Sequence, residues 1–578
     1  MSRRPLYWGM VLALSSGLMA GCHSAAARRQ AGKAPLGSRA DAAGLPPEKA
    51  AQAHAHFGAG VVHEMNDEMT AALDEYYQAA RTDPADEGLV LDVSGRLLQG
   101  KQSDKALEVV SRAAARPGAS GAIFARLGLI YAQLGKTEQS VAANRTAIKK
   151  APELLGGYRN LCLTYLQSGH ATEALAVLDE AARQPSTEPE FMLGLAELYI
   201  SLGMQVPAKK EKAHAQALAA LNRVVRLNPQ AAAVRLTLAD SFNLLGDASK
   251  AAEIYLDLLN RLPEAQVFSE LRERVHAKLM AIYLRAADHK HAIEQLEAIV
   301  KDNPANPAAY YYLGSIAFED KKWDKAAEHF SKTILLSPEF DQAPYIEQAY
   351  YDLATCQLDL KQPSQALATL QQARRKYSRD SQNFVLEFMT GLAYSQAKDY
   401  SRAIEYFNRA EVIANAKDPK RLNQFFFFEF GAASERSGDL AKAEEYFQKA
   451  IRLAPDFAEA LNYLGYMWAE HDMKLDQARQ LIEKALKLEP KNGAYLDSLG
   501  WVLFKLHQPK EALDYILKAC DLLQEPDPAV FDHLGDIYAA LQQPDKAREA
   551  WRKSLGLQPS EDIRKKLEAA PALAKPRP

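Results

Sequence analysis

Cysteine is scarce here: four residues in 578, at positions 22, 162, 356 and 520. They show no paired spacing, which excludes a disulfide framework or a zinc site as an organising element. Cys162, Cys356 and Cys520 fall among helix-forming residues and are expected to be buried free thiols. Charge of one sign is lacking as well. Lys plus Arg (70) nearly cancels Asp plus Glu (73), so no whole-chain field favours nucleic acid or an anionic surface. Beyond the first 22 residues no apolar run is long enough to span a bilayer. Also missing are a glycine-rich phosphate loop, a nucleophile elbow and a His-Glu metal helix. With no convergent constellation, the expectation is no catalytic residue, no metal, no cofactor and no small-molecule substrate. His54, His56 and His63 cluster near the start, but across the boundary between a tether and a helix, where solvated side chains are expected instead of metal ligands.

What is present is a pattern repeated along almost the whole chain. Residues 493–524, GAYLDSLGWVLFKLHQPKEALDYILKACDLLQ, carry Leu499-Gly500 on one helical half, Ala512 and Ala519 on the other, and His507-Gln508-Pro509 between them. The outline recurs upstream with Leu464-Gly465, Ala478, Ala485 and Pro490, and downstream with Leu534-Gly535, Tyr538, Ala547 and Pro559. A period of roughly 34 residues with small residues at matching places resembles the tetratricopeptide repeat. The resemblance implies an all-α, right-handed superhelical solenoid of about fourteen helix-turn-helix units. Two amphipathic helices approach closely only where Gly or Ala stands at the crossing, as at Gly128, Gly314, Gly465, Gly500 and Gly535. Large residues such as Tyr131, Phe330, Phe447 and Trp551 fill the space beside them. The solenoid is expected over residues 53–560, with an exposed lengthened turn at Met204–Lys212, a capping helix over 561–570 and a disordered, proline-rich tail over 571–578. Residues 458–560, with NYLGYMWAE, YLDSLGW and FDHLGDIY, also look like the carboxy-terminal repeats of a widespread group of bacterial tetratricopeptide proteins, which implies scaffolding.

The amino terminus stands apart. Arg3 and Arg4 precede an apolar run from Leu6 to Leu14, and Ala20-Gly21 lies directly before Cys22. Residues 1–21 thus read as a signal peptide. The small pair before the cysteine resembles the bacterial lipobox, in which the cysteine is acylated and becomes the mature amino terminus. The resemblance departs at Met19, where Leu is commoner. A plain secretory signal with an incidental Cys, or an uncleaved anchor, remain as alternatives. Residues 22–52 are expected to be the lipidated cysteine and a flexible tether. His23 follows in place of the Asp that resembles an inner-membrane retention signal, so an outer-membrane lipoprotein facing the periplasm is expected. Contact with membrane is then through the lipid only.

Function is expected in binding. In the tetratricopeptide family the second, fifth, ninth and twelfth positions of each repeat line a concave groove. Alignment carries these positions onto Tyr311, Phe318, Tyr351, Phe388, Leu392, Phe425, Phe428, Tyr466, Trp501 and Phe504, with Asp497 at one fifth position. Such an aromatic groove would hold extended or helical segments of envelope proteins through aromatic anchors. The other reading is that these aromatics pack against neighbouring helices. Four consecutive phenylalanines, Phe425 to Phe428, cannot all face one helix-packing stripe. Chaperone-tail-binding repeats clamp a terminal carboxylate with Lys, Asn and Arg, but Asp497 and Asp532 stand at such positions here, so carboxylate clamping is not expected. The reading is a membrane-anchored, non-enzymatic scaffold or adaptor of the bacterial cell envelope. Its alternative is a regulatory accessory subunit of a periplasmic hydrolase or protease.

Overall fold

The structure is a computed structural model that describes residues 46–569 except 186–187, 338–342, 378–382 and 524. The signal peptide, Cys22, most of the expected tether and the tail 571–578 lie outside the described residues. Among those described are 29 α-helices, three short 3-10 turns and no strand. The helices pair in sequence as antiparallel hairpins, giving an all-α superhelical repeat fold. Two compact units divide the chain, one ending at Arg261 and the other beginning at Leu262. The first holds six hairpins, from Pro47–Met65 with Met69–Thr82 to Ala232–Leu244 with Ala248–Arg261. The second holds eight, from Ser269–Arg285 with His289–Asp302 to Pro528–Ala540 with Pro544–Leu557, and then the helix Glu561–Ala569.

Thirteen of the fourteen hairpins close in the same way, the fifth being the exception. In the thirteenth, the first helix Gly493–Lys505 is capped by Asn492, whose Oδ1 accepts from the backbone of Ala494 and Tyr495. At its other end His507 takes the left-handed conformation (φ 60°), and Gln508 N donates to Leu503 O at 2.9 Å. This six-to-one bond reverses the chain within three residues. Pro509 then starts the second helix, Pro509–Leu522, at the place where a missing N–H costs nothing. Lys101, Lys321, Lys361, Lys398 and Gln542 hold the same left-handed place in other units.

The two helices of a hairpin meet at the small residue read from the sequence. A Cβ on Gly314 would lie 2.7 Å from the Phe330 ring, on Gly391 2.5 Å from Phe407, on Gly431 2.8 Å from Phe447, and on Gly535 2.4 Å from Trp551. At Gly500 and Gly465 the filler is a β-branched residue, Ile516 or Ile482, each 2.6 Å from such a Cβ. Phe330, Phe407 and Phe447 are wholly buried, so no ring can swing aside into water.

Three features depart from the sequence expectation. The first helix begins at Pro47, six residues inside the stretch expected to be tether. Proline pre-sets the first helical φ, and the Glu, Lys, Ala and Gln after it favour helix, so the chain folds earlier than the repeat template predicts. The Met204–Lys212 insertion does not form a long turn. It extends both flanking helices, Pro189–Gln205 and Lys210–Leu227, leaving only a 3-10 turn at Pro207–Lys209 between them. Its Met204 is 59% exposed at the tip. Cys162 and Cys356 are buried, as expected, and burial pushes both thiols up to about 12; Cys520 is only half-buried. At the far end, Ile563 of Glu561–Ala569 packs on Trp551 and Ala547. Lys566 Nζ from the same helix reaches Asp532 Oδ1 and Asp536 Oδ2, both at 2.7 Å.

The Gly391–Phe407 joint gives a direct test. Gly391→Ala places a methyl inside the contact distance of a buried ring and is expected to cost about 1–3 kcal/mol in urea unfolding. Adding Phe407→Leu should recover part of that loss. A G391A chain as stable as its parent would show that the joint has slack the geometry does not.

Candidate protein-binding face

In the unit beginning at Leu262, first helices contact the next first helix from Pro307–Glu319 onward, whereas second helices meet their neighbours chiefly through the intervening first helix. The first helices therefore form the tighter, inner layer, and every residue expected at the groove lies on one of them. The layer does not hold the eleven residues as one open aromatic strip. It gathers them in separate patches with unequal exposure.

In the eighth hairpin, Tyr311 is half-buried among Tyr312, Phe330 and Tyr345, with ring centroids 5.5–5.8 Å away. Phe318 lies edge-on to Trp323 at 5.2 Å. In the ninth, Tyr351 is buried; its hydroxyl donates to Glu347 Oε1 at 2.7 Å and accepts from Asn383 Nδ2 at 2.8 Å. Burial leads, with the Glu347 hydrogen bond second, in raising the phenol pKa far above its ordinary value. Phe388 of the tenth packs on Phe384, Phe407 and Phe426, and Leu392 lies against the same core. These residues serve as joints between hairpins.

The phenylalanine run shows why. Asn423 caps the helix Gln424–Arg436, and the four rings then fan around it. Phe426 enters the cluster of Phe388, Phe407 and Phe430; Phe427 stacks on Tyr446 at 5.9 Å; Phe428 meets Phe447, Phe457 and Tyr463. A first helix has four packing partners, the first and second helices of the preceding hairpin, its own second helix and the next first helix, so its apolar surface is wider than one stripe. Only Phe425 escapes, 42% exposed and edge-on to Phe457 at 5.2 Å.

The last patch spans the twelfth to fourteenth hairpins. Asp497 and Trp501 are each 7% exposed, and Tyr466 and Phe504 are half-buried. At their centre is His533, which the groove positions did not include. Its Nδ1 lies 2.9 Å from Asp497 Oδ1, and its ring stacks on Trp501 with centroids 4.1 Å apart and lies 6.2 Å from the tilted Tyr466 ring. Burial works against a charged imidazole. The hydrogen-bonded Asp497, aided by Glu470 and Asp532, outweighs it and lifts the His533 pKa above its ordinary value. Composition does not mark His533, but register does. It follows the groove position held by Asp532, and Tyr463, at the same place two hairpins earlier, likewise reaches back to the fifth position of the preceding unit, Phe428. Two of the early histidines pair singly with carboxylates, His56 with Glu75 at 2.7 Å and His63 with Glu68, and His54 is exposed. Among the described residues no three ligand-type side chains could hold a metal ion, and no helix is long and apolar enough to cross a membrane.

Stacked helical hairpins with a small-residue joint define a helical-repeat protein. Models of the tetratricopeptide repeat family match residues 212–265, 282–344, 351–419, 425–457 and 529–561, so the hairpins there are repeats of that family. Protein-interaction scaffolding is the role this fold typically serves. Comparison with curated proteins gives no match. Among solved structures, the chain is similar to the Cut9–Hcn1 hetero-tetramer of the APC/C, with TM-score 0.38, 16% identity, and coverage of 82% of this chain and 94% of that one. A tetratricopeptide repeat protein from Parabacteroides merdae gives 0.37 and 14%, covering 45% and 97%. Yeast Tom70 gives 0.30 and 15%, covering 83% and 94%. At scores this low the likenesses are loose.

Two outcomes follow from the burial pattern. Phe428→Ala should lower stability by about 3–5 kcal/mol, whereas Phe425→Ala should leave the unfolding midpoint close to that of the parent. Equal losses from both would mean that Phe425 is core too. For His533 the folded pKa is the raised one, so its contribution is complete below the unfolded value of about 6.5 and is lost as pH rises through the higher folded value. The melting temperature should fall over that interval, and His533→Gln should flatten the dependence. A parent profile already flat there would contradict the assignment.

Proposed function

We propose that the chain is a non-enzymatic scaffold of the bacterial cell envelope, tethered by an acylated Cys22 and holding segments of partner proteins on the inner layer of its second unit. The tetratricopeptide repeats matched between residues 212 and 561 support the scaffold class. Phe425 carries the placement: it is the one large aromatic among the groove residues that stays 42% exposed, on the inner layer, beside a dense aromatic core that holds its helix rigid. A rigid, partly exposed aromatic loses little conformational freedom on binding and contributes strongly to affinity. Tyr466 and Phe504 extend the same layer with half-buried rings. The tether is supported by the sequence alone, through the basic pair, the apolar run and Ala20-Gly21 before Cys22. His23 after the cysteine supports an outer-membrane position facing the periplasm.

Cys22→Ser tests the anchor in one step. The variant should appear in the soluble fraction without lipid label, while the parent sediments with membranes. A variant that stays membrane-bound and lipid-labelled overturns the acylation.

A further inference from the structure

The first and last hairpins are finished differently. At the last, the helix Glu561–Ala569 is a cover: Ile563 turns in on Trp551, while Glu561, Asp562, Arg564, Lys565 and Glu568 face water. A stack of repeats needs such a polar end. Among the described residues the first hairpin has none. In the hairpins that follow, the first helix lies against the second helix of the hairpin before it, as Glu87–Gln99 lies on Met69–Thr82 and Gly121–Gln133 on Ser103–Ala114. No described element takes that place against Pro47–Met65, and the face left over is apolar. Ala51, Ala55, Gly58, Val62 and Met65 are all exposed, Val62 by 57% and Met65 by 81%. Their alternating four- and three-residue spacing is the 3.5-residue period of a coiled-coil seam. From Ala50 to His63 the helix carries no Lys, Arg, Asp or Glu. An exposed seam without charge around it is a surface for another helix.

The chain's own residues 23–45 are poor cover. They hold two large apolar side chains, Leu36 and Leu45, and four cations, Arg28, Arg29, Lys33 and Arg39, which an uncharged face does not attract. Leu45 also directly precedes the helix in sequence, whereas Met65 ends it, about 27 Å along the axis. A second copy of the chain fits better, because the seam is graded. Small residues, Ala51, Ala55 and Gly58, fill its amino-terminal half, and Val62 and Met65 fill the rest. Turned antiparallel about a two-fold axis near Gly58, the same seam sets Met65 of each copy on Ala51 of the other and Val62 beside Ala55. Large then meets small at every level, and the helix axes keep an even separation. A parallel pair would stack Met65 on Met65 and Ala51 on Ala51, and splay. Gly58 falls at the crossing, where a Cβ would find no atom within 4 Å, so the backbone is bare for close approach.

We propose that Pro47–Met65 is a self-association face, on which the same helix of a second copy packs antiparallel across a two-fold axis near Gly58. One helix pair is a small interface, so the dimer exchanges with monomer and forms as the chain becomes concentrated. The inference stands apart from the scaffold reading, which concerns the first helices of the second unit.

Cysteine crosslinking of the full chain in intact cells tests it. Gly58→Cys has room for its side chain, and a short bis-maleimide should join two copies into a species of twice the chain mass. The parent, with Cys162 and Cys356 buried, should give none. Ala51→Cys alone should also give none, because antiparallel packing holds its two sulfurs roughly 20 Å apart. Adding Ala55→Glu and Val62→Glu to Gly58→Cys sets like charges across the seam. It should cut the dimer about tenfold or more, with an unchanged melting temperature, since both positions are exposed. No dimer from Gly58→Cys, as much dimer from Ala51→Cys, or indifference to the two glutamates each overturns the inference. An adduct of Gly58→Cys with a different protein in place of the dimer overturns it too, and gives the face to another partner.

Discussion

A glycine in a first helix set against a ring or β-branched residue in the second, as at Gly391 with Phe407 and Gly535 with Trp551, is the contact on which the molecule depends. Without a Cβ, the first helix comes close enough to lay its backbone on the filler, and the filler is then sealed from water. The same first helix must also touch both helices of the preceding hairpin and the first helix of the next. Each hairpin is therefore clamped by the hairpins before and after it through joints repeated along the chain. The turn chemistry serves this spacing: a left-handed residue such as His507 or Lys398 ends the first helix abruptly, so that the second returns in register.

Much of this was legible in the sequence because it obeys a period. Leu499-Gly500, Ala512 and Ala519 mark the crossing of one hairpin, and sliding that template found the fourteen pairs that the described residues contain. Where the chain leaves the period, legibility failed for local reasons. At Met204–Lys212 the added residues are good helix formers, so both helices lengthened where the template expected a turn. At Pro47 the template had no unit to offer, yet proline and the residues after it start a helix unaided.

The binding face was legible in position more than in exposure. Register placed the groove residues on the first helices, where they are, but it could not weigh how much of each ring the neighbouring hairpins take. Phe428 and Tyr351 are spent on holding hairpins together, and Phe425, three residues before Phe428, is left facing out. That difference is set by which of its neighbouring helices a position meets, a property of the stack and not of the window around the residue. His533 was missed for the same reason: its partners, Asp497, Trp501 and Tyr466, come from two other hairpins.

From Pro307–Glu319 onward, the second unit is a layered repeat whose second helices carry most of the cations and whose first helices carry rings and carboxylates. The claim at its centre is that partners seat on the inner layer. Site-specific photo-crosslinking in intact cells addresses it most directly, with a photoreactive residue at Phe425 or Glu470 on the inner layer and at Val412 or Leu453, both exposed on second helices. The account predicts discrete protein adducts from the first two positions and none from the last two. Adducts from Val412 and Leu453 with none from Phe425 and Glu470 would contradict it.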